Sequence, residues 1–272
     1  MRKGFTLIEI LVSLAVLAVL MLAFVRFFGG TLQASGRLQI QNELLAEAQI
    51  AHHLIASRVK EAWYVWPPGA NLKLTSSGWS TANTLDGGHD WTVGPKFLAM
   101  ILPPQKDGVE CSADKAGCFR FYAYYPMRRS YYVSKASAVE ALDPDPANDS
   151  KVWVLMEYRS YYRIKGGKSC PVRPDGSPDP SNTGYRGKRG RLLVDYLQPF
   201  TDPWDPAYSY PGLFDLKTSG GKVTAVAIHM RFVRQARGQV HRVPSRTDPL
   251  SLSTVPQNLE VLADASDGTY CR

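Results

Sequence analysis

No proline occurs between Phe5 and Trp66, and from Phe5 to Val25 the only strongly polar side chain is Glu9. The first absence removes the residue that breaks helix interiors at a cost of roughly 3 kcal/mol. The second leaves an apolar run of about the 20 residues needed to cross a bilayer. A small-residue A-x-A cleavage site after this run is missing too, which argues against an ordinary secretory signal peptide. The signatures of several enzyme classes are absent as well. There is no H-E-x-x-H and no G-x-S-x-G. Gly167-Lys168-Ser169 has the end of a phosphate-binding loop, but Tyr162 stands where its first glycine belongs. No internal repeat is visible. These absences predict a protein that is not an enzyme and needs no cofactor.

Cysteine is sparse: Cys111, Cys118, Cys170 and Cys271. No C-x2-C pair and no nearby histidine pair supports a zinc site, so no metal is expected. An even number of cysteines in an exported chain suggests two disulfides, and four cysteines allow three pairings. The short loop between Cys111 and Cys118 favours a local bridge, which leaves Cys170 with Cys271. The 272-residue chain is 44% hydrophobic and 11% aromatic, a globular composition, with a net charge of +8. Such a bias can steer a protein toward an anionic partner or simply keep it soluble.

Arg2-Lys3-Gly4-Phe5-Thr6-Leu7-Ile8-Glu9, followed by the apolar run, resembles the class III leader of type IV pilins and type II secretion pseudopilins. The shared features are a basic leader, glycine before the cleaved bond, phenylalanine after it and glutamate four residues on. The resemblance implies that a prepilin peptidase cuts between Gly4 and Phe5 and methylates the new amine of Phe5. It also implies that Glu9 pairs with the amino terminus of a neighbouring subunit. A carboxylate within a membrane span costs roughly 2.5–3.5 kcal/mol, so it calls for a partner. Loss of Arg2 and Lys3 with the leader takes two charges from +8 and leaves +6.

Beyond Gly29-Gly30, a candidate hinge, Gln41, Leu44/Leu45, Ala48, Ala51, Ile55, Val59 and Ala62 recur at three- and four-residue spacing. That period marks one apolar helix face, with Glu43, Glu47, His52, Arg58 and Lys60 mostly elsewhere. The helix is expected to end near Trp63–Trp66, before Pro67-Pro68. Arg37–Leu45 and His53–Ala62 resemble the corresponding helix of PilW-type minor pilins and GspJ-type minor pseudopilins.

Strands are predicted at Lys96–Leu102, Cys118–Tyr125, Lys151–Ile164, Arg191–Leu197, Val223–Val233 and Gln239–Val243, with Ser130–Val133 extending the second beyond Pro126. The last two form a hairpin turning at Gly238. Residues 67–95, 166–190 and 198–221 read as long loops, and the tail after Pro244 as polar. The fold class is therefore α+β and pilin-like, a long helix laid on an antiparallel sheet. The divisions are residues 1–4 as leader, 5–28 as transmembrane and assembly helix, 29–66 as amphipathic helix and 67–272 as β-rich head.

Two further groups are candidates. Asp143, Asp145, Asp202 and Asp205, each followed by proline, have oxygens suited to calcium, but Asp-Pro is also a turn dipeptide. The basic window from Lys222 to Arg246 contains Arg231, Arg234, Arg237 and Arg242, candidates for binding DNA or another anion. The alternative there is a solvated, aggregation-blocking sheet face. The resemblance implies a minor pilin acting in a pilus tip or initiation complex, with a DNA-binding competence pilin and a type II secretion pseudopilin as alternatives. Its partners would be other pilins, the peptidase and the inner membrane before assembly. Its place would be the bacterial inner membrane, then a pilus at the cell surface or a pseudopilus in the periplasm.

Overall fold

A computed structural model describes residues 7–106, 111, 115–162 and 183–257. The chain divides into two compact units, residues 1–43 and 44–272. The first unit, over its described residues 7–43, is helical throughout. It is the opening part of helix α1 (Leu7–Glu61). Gly29 and Gly30 do not interrupt it. Leucine, alanine and other good helix formers around them offset the ~1 kcal/mol that each glycine costs.

The second unit begins within α1. Leu44, Ala48, Ala51, Ile55, Ala56, Val59 and Ala62 are buried there, as the three- and four-residue spacing requires. His52 departs from the sequence expectation, because it is buried too. Its ring nitrogens lie 2.9 Å from the Ala48 carbonyl oxygen and 3.1 Å from that of Leu250. Its side chain thus spans from the helix to a strand 198 residues away.

After α1 come β1 (Tyr64–Val65), β2 (Asn71–Lys73), β3 (Asp90–Thr92), β4 (Leu98–Leu102), β5 (Arg120–Arg128) and the short helix α2 (Arg129–Lys135). They are followed by β6 (Trp153–Tyr161), β7 (Gly190–Leu197), β8 (Phe214–Ser219), β9 (Lys222–Met230), β10 (Phe232–Ala236), β11 (Gln239–Val243) and β12 (Leu250–Thr254). The main sheet has seven strands in the order β1-β4-β5-β6-β7-β10-β11. Its pairings are antiparallel. A three-stranded sheet, β12-β9-β8, and the β2-β3 ribbon complete the described strands.

All five residues of β4, and all of β5 except Arg128, are buried. Alternation is lost because both faces of the sheet are covered. On one face, α1 places Arg58 5.1 Å from the centre of the Tyr122 ring. Glu61 pairs there with Arg120, and the Glu47 carboxylate accepts from the Asp195 amide at 3.3 Å. The β2-β3 ribbon and loop segments cover the other face. Trp91 packs 4.7 Å from Tyr125, and Tyr185 stacks 4.3 Å from Phe121. Three hydrogen bonds pin this cover: Trp91 Nε1 to Thr81 O at 3.0 Å, Tyr125 Oη to Ser80 O at 2.7 Å, and Tyr158 Oη to Tyr185 O at 2.7 Å.

Three strand expectations change. Ser130–Val133 belongs to helix α2 and does not extend β5. β5 does run through Pro126, which pairs with Leu155 of β6. Its partner on the other side, β4, has already ended opposite Tyr124, so the missing proline N–H is not needed there. The predicted strand Val223–Val233 is two strands in two sheets, divided at Arg231. Finally, β8 and β12 occupy stretches read as loop and polar tail. Each carries few apolar residues and is held by pairing with β9.

Candidate functional site

The first candidate is the opening part of α1. Sixteen large apolar side chains between Leu7 and Phe28 are exposed, from Phe28 at 47% to Leu7 at 79%. Burying such a side chain is worth roughly 1.5–3 kcal/mol. Covering this surface is therefore worth tens of kcal/mol, which far outweighs the ~2.5–3.5 kcal/mol cost of one carboxylate in lipid. The 22 residues from Leu7 to Phe28 span ~33 Å at 1.5 Å per residue, close to a bilayer core of ~30 Å. This part of the chain is long and apolar enough to cross a membrane, with a mean hydropathy of 2.8 over its best window.

Glu9 lies in the first turn of that helix. A negative charge at this end is favoured by the helix dipole, by ~0.3–1 kcal/mol in exposed cases. The Glu9 carbonyl also accepts a hydrogen bond from Ser13 Oγ at 2.7 Å. Gly4 and Phe5 lie outside the described residues.

Residues 1–25 match the family model of the prokaryotic N-terminal methylation motif. No curated protein and no solved structure matches the chain. The motif supports the type IV pilin and pseudopilin reading, and it points to a structural subunit and not an enzyme. It implies processing by a prepilin peptidase and assembly with other pilins. The apolar helix that carries it is consistent with anchoring in the inner membrane.

The structure places the arginine candidates differently from a solvated strip. Arg231 has no exposed surface. Its guanidinium donates to Gln198 Oε1 at 3.2 Å, to the Arg246 carbonyl at 2.6 Å, to the Pro244 carbonyl at 3.4 Å and to the Thr247 carbonyl. Burial pulls its pKa below the usual arginine value, opposed by the nearby Asp202 charge. Arg242 donates to the buried Asp202 carboxylate at 2.7 Å. The Tyr208 ring has Arg231 at 4.8 Å and Arg242 at 4.5 Å from its centre. Arg234 lies 4.6 Å from the centre of the Tyr196 ring and 4.0 Å from Asp145. Of the four, Arg237 is the exposed one, at the turn between β10 and β11.

The Asp-Pro candidates also have internal duties. Asp202 accepts from the amides of Trp204 and Asp205 at 2.7 and 3.1 Å, the local bonding of a turn. Asp145 accepts from Asn148 Nδ2 at 2.8 Å and from Tyr196 Oη at 3.0 Å. Asp143 offers its backbone carbonyl to Arg129 at 3.1 Å. Among the described residues, no group of three or more His, Cys, Asp or Glu is placed to hold a metal ion.

Cys111 and Cys118 are joined by a disulfide. Cys170 and Cys271 lie outside the described residues.

Sequence reasoning missed the buried cation Arg129. It donates to Asp195 Oδ1 at 2.9 Å and to Asp149, and lies 5.0 Å from the centre of the Tyr196 ring. The cluster ties α2, the turn before β6 and β7 together. Its members are 20 and 66 residues from Arg129, and nothing in the local sequence links them.

Proposed function

We propose that this chain is a minor type IV pilin or pseudopilin of the PilW or GspJ kind, a low-abundance structural subunit. Cleavage after Gly4 releases Phe5 as the N-terminal residue, and its amine is methylated. The helix from Phe5 to about Phe28 then holds the subunit in the inner membrane. Assembly transfers that helix from lipid to the helices of neighbouring pilins, in a tip or initiation complex of the filament. One observation carries the reading: a wholly exposed apolar helix whose single carboxylate, Glu9, lies inside a matched N-terminal methylation motif. Glu9 is the assembly residue, because a buried carboxylate is tolerable opposite a buried ammonium and expensive alone. The minor role is supported by the elaborated head, whose loops form a second cover for the sheet.

The test uses two variants expressed with the cognate prepilin peptidase. Gly4→Val should leave the leader uncut, read as a retained mass of residues 1–4. Glu9→Ala should be cut and methylated normally but enter sheared filaments or cross-linked pilin complexes at least tenfold less than the parent. Normal processing of the Gly4 variant would sink the prepilin reading. Normal incorporation of the Glu9 variant would remove the assembly role.

A further inference from the structure

The three-stranded sheet treats its two edges differently. Its β8 edge carries Asp215 and Lys217 and a register shift between Lys217 and Thr218. Charges and bulges of this kind discourage a further strand from adding. Its β12 edge, Leu250-Ser251-Leu252-Ser253-Thr254, has no charge, no proline and an unbroken register with β9. The backbone of that edge can be traced from β9. The His229 amide donates to the Leu213 carbonyl at 2.8 Å, on the β8 side. Backbone groups alternate sides along a strand, so those of Ile228 and Val226 face β12, opposite Leu252 and Thr254. The amide and carbonyl of Ser253, between them, therefore point to the outer edge. Among the described residues no backbone group bonds to them there.

A groove of about 490 Å³ separates residues 252–254 from α1. The helix lines it with His53, Ala56, Ser57, Lys60 and Glu61, one stripe at three- and four-residue spacing. The chain is tied to the helix at both ends of the groove. His52 holds the Leu250 carbonyl, and the Gln257 amide donates to the Lys60 carbonyl at 3.1 Å. Thr254 lines the groove and is 4% exposed, and its buried hydroxyl has no partner among the described residues. A polar group left unmet in this way costs ~1–3 kcal/mol. Lys60 is exposed and has no carboxylate partner among the described residues. Glu61 is committed to Arg58 at 3.2 Å and to Arg120 at 3.5 Å. The free charge in the groove is therefore positive.

We propose that this groove takes an extended, acidic segment of a partner protein, which adds to β12 as a fourth strand. An extended chain brings N–H and C=O groups at the repeat of the open edge, which a compact small molecule does not. A carboxylate on that chain supplies the counter-charge that Lys60 lacks. Side chains that turn inward meet Ala56, Leu252 and the Thr254 hydroxyl, so valine and threonine suit those positions. Backbone pairing gives the affinity, and the Lys60 charge gives the preference for acid. The helix and β12 are already fixed in place, so ordering is a cost for the incoming segment alone. The groove lies wholly within the unit of residues 44–272, so the inference rests neither on prepilin cleavage nor on Glu9.

The experiment uses the full chain in nonionic detergent and two fluorescently labelled ten-residue peptides, read by anisotropy at about 50 mM salt. One peptide alternates threonine and valine around a central aspartate, and the other has lysine in that place. The aspartate peptide should bind roughly threefold more tightly or better, and Lys60→Glu should reverse the order. Ser253→Pro removes an outward amide that β9 does not use, at a place where an edge strand tolerates proline. It should weaken the aspartate peptide about fivefold or more. Ser253→Ala keeps that amide and should bind within about twofold of the parent. Circular dichroism checks that each variant is folded. Equal losses in the proline and alanine variants would overturn the proposal, since the serine side chain and not the strand edge would then be bound. No binding of either peptide would overturn it too, whether the edge is blunt or covered by the chain's own residues 258–272. So would a dimer of the parent, seen by light scattering, that Ser253→Pro splits, because the occupant would then be a second copy.

Discussion

Replacing Arg231 by methionine tests whether this residue belongs to the core or to a binding surface. The side chain is fully buried at the point where the chain leaves the three-stranded sheet and enters the main one. Its guanidinium serves Gln198 Oε1 and the carbonyls of Pro244, Arg246 and Thr247. Hydrogen bonds from a charged donor are worth ~1.5–3 kcal/mol each. The carbonyls are only partly buried and can turn to water, and methionine recovers the cost of desolvating a charge. Those offsets reduce the expected loss to about 3 kcal/mol. For a unit of about 230 residues, each kcal/mol moves the melting temperature by ~2–4 °C, so the Met variant should melt ~6–12 °C lower. Arg231→Lys keeps the charge but has three donors on one nitrogen and no fork, so it should lose roughly half as much. The assay is a thermal melt of the full chain in detergent, followed by tryptophan fluorescence. The reasoning fails if both variants melt within ~2 °C of the parent. It fails equally if Arg231→Met leaves the melt unchanged while lowering affinity for DNA, because the residue would then be a surface ligand.

His229 and Gly190 give two further predictions. Burial holds His229 below the usual histidine pKa, reinforced by His52 and opposed by Asp215, and its Nδ1 lies 2.8 Å from Ser251 Oγ. The unfolded chain therefore takes up this proton more readily, with an ordinary pKa of ~6.5. The stabilising contribution is fully present above that value and is lost as pH falls through the depressed folded pKa. Urea midpoints measured from pH 7.5 to 5 should fall less steeply for His229→Gln than for the parent, and identical pH slopes would refute the assignment. Gly190→Ala should destabilise the head by ~1–3 kcal/mol through overpacking against Tyr125 and Ser80. An unchanged melt would mean that the loop over that sheet face yields freely.

The features legible in the sequence were those whose cause is local. The buried stripe Leu44, Ala48, Ala51, Ile55, Val59 and Ala62 follows from helical period alone. The Cys111–Cys118 bridge follows from short spacing, and the β10–β11 hairpin from Gly238 between two alternating runs. The break at Arg231 has no such cause. Alternation runs through it unbroken and would set Arg231 beside His229 on a solvated face. What buries it is a set of carbonyls 13 to 16 residues on and a glutamine 33 residues back. Arg242 misleads for the same reason, because Asp202 lies 40 residues away. β8 shows only Phe214 and Leu216 as an apolar signal, and β12 only Leu250 and Leu252. Both exist because β9 offers each of them an edge.

The loops were the least legible part, and they give the head its second packed face. A sheet that lays one face on α1 must still cover the other. Here residues from the β2–β3 region and from 183–189 do so, by pointing Trp91, Phe97 and Tyr185 inward. The chain between those anchors must point something outward, and in 186–191 that is cation after cation. Solubility alone asks for charge on such a loop, but it does not ask for charge of one sign or for a fixed backbone. Tyr185 and Gly190, which close the core, also bracket Arg186, Lys188 and Arg189, so whatever keeps the sheet covered also holds this charged segment in place. Packing and charge display are here one constraint on one segment. A stretch that reads as structureless in the sequence is therefore pinned to the core at Tyr185 and Gly190.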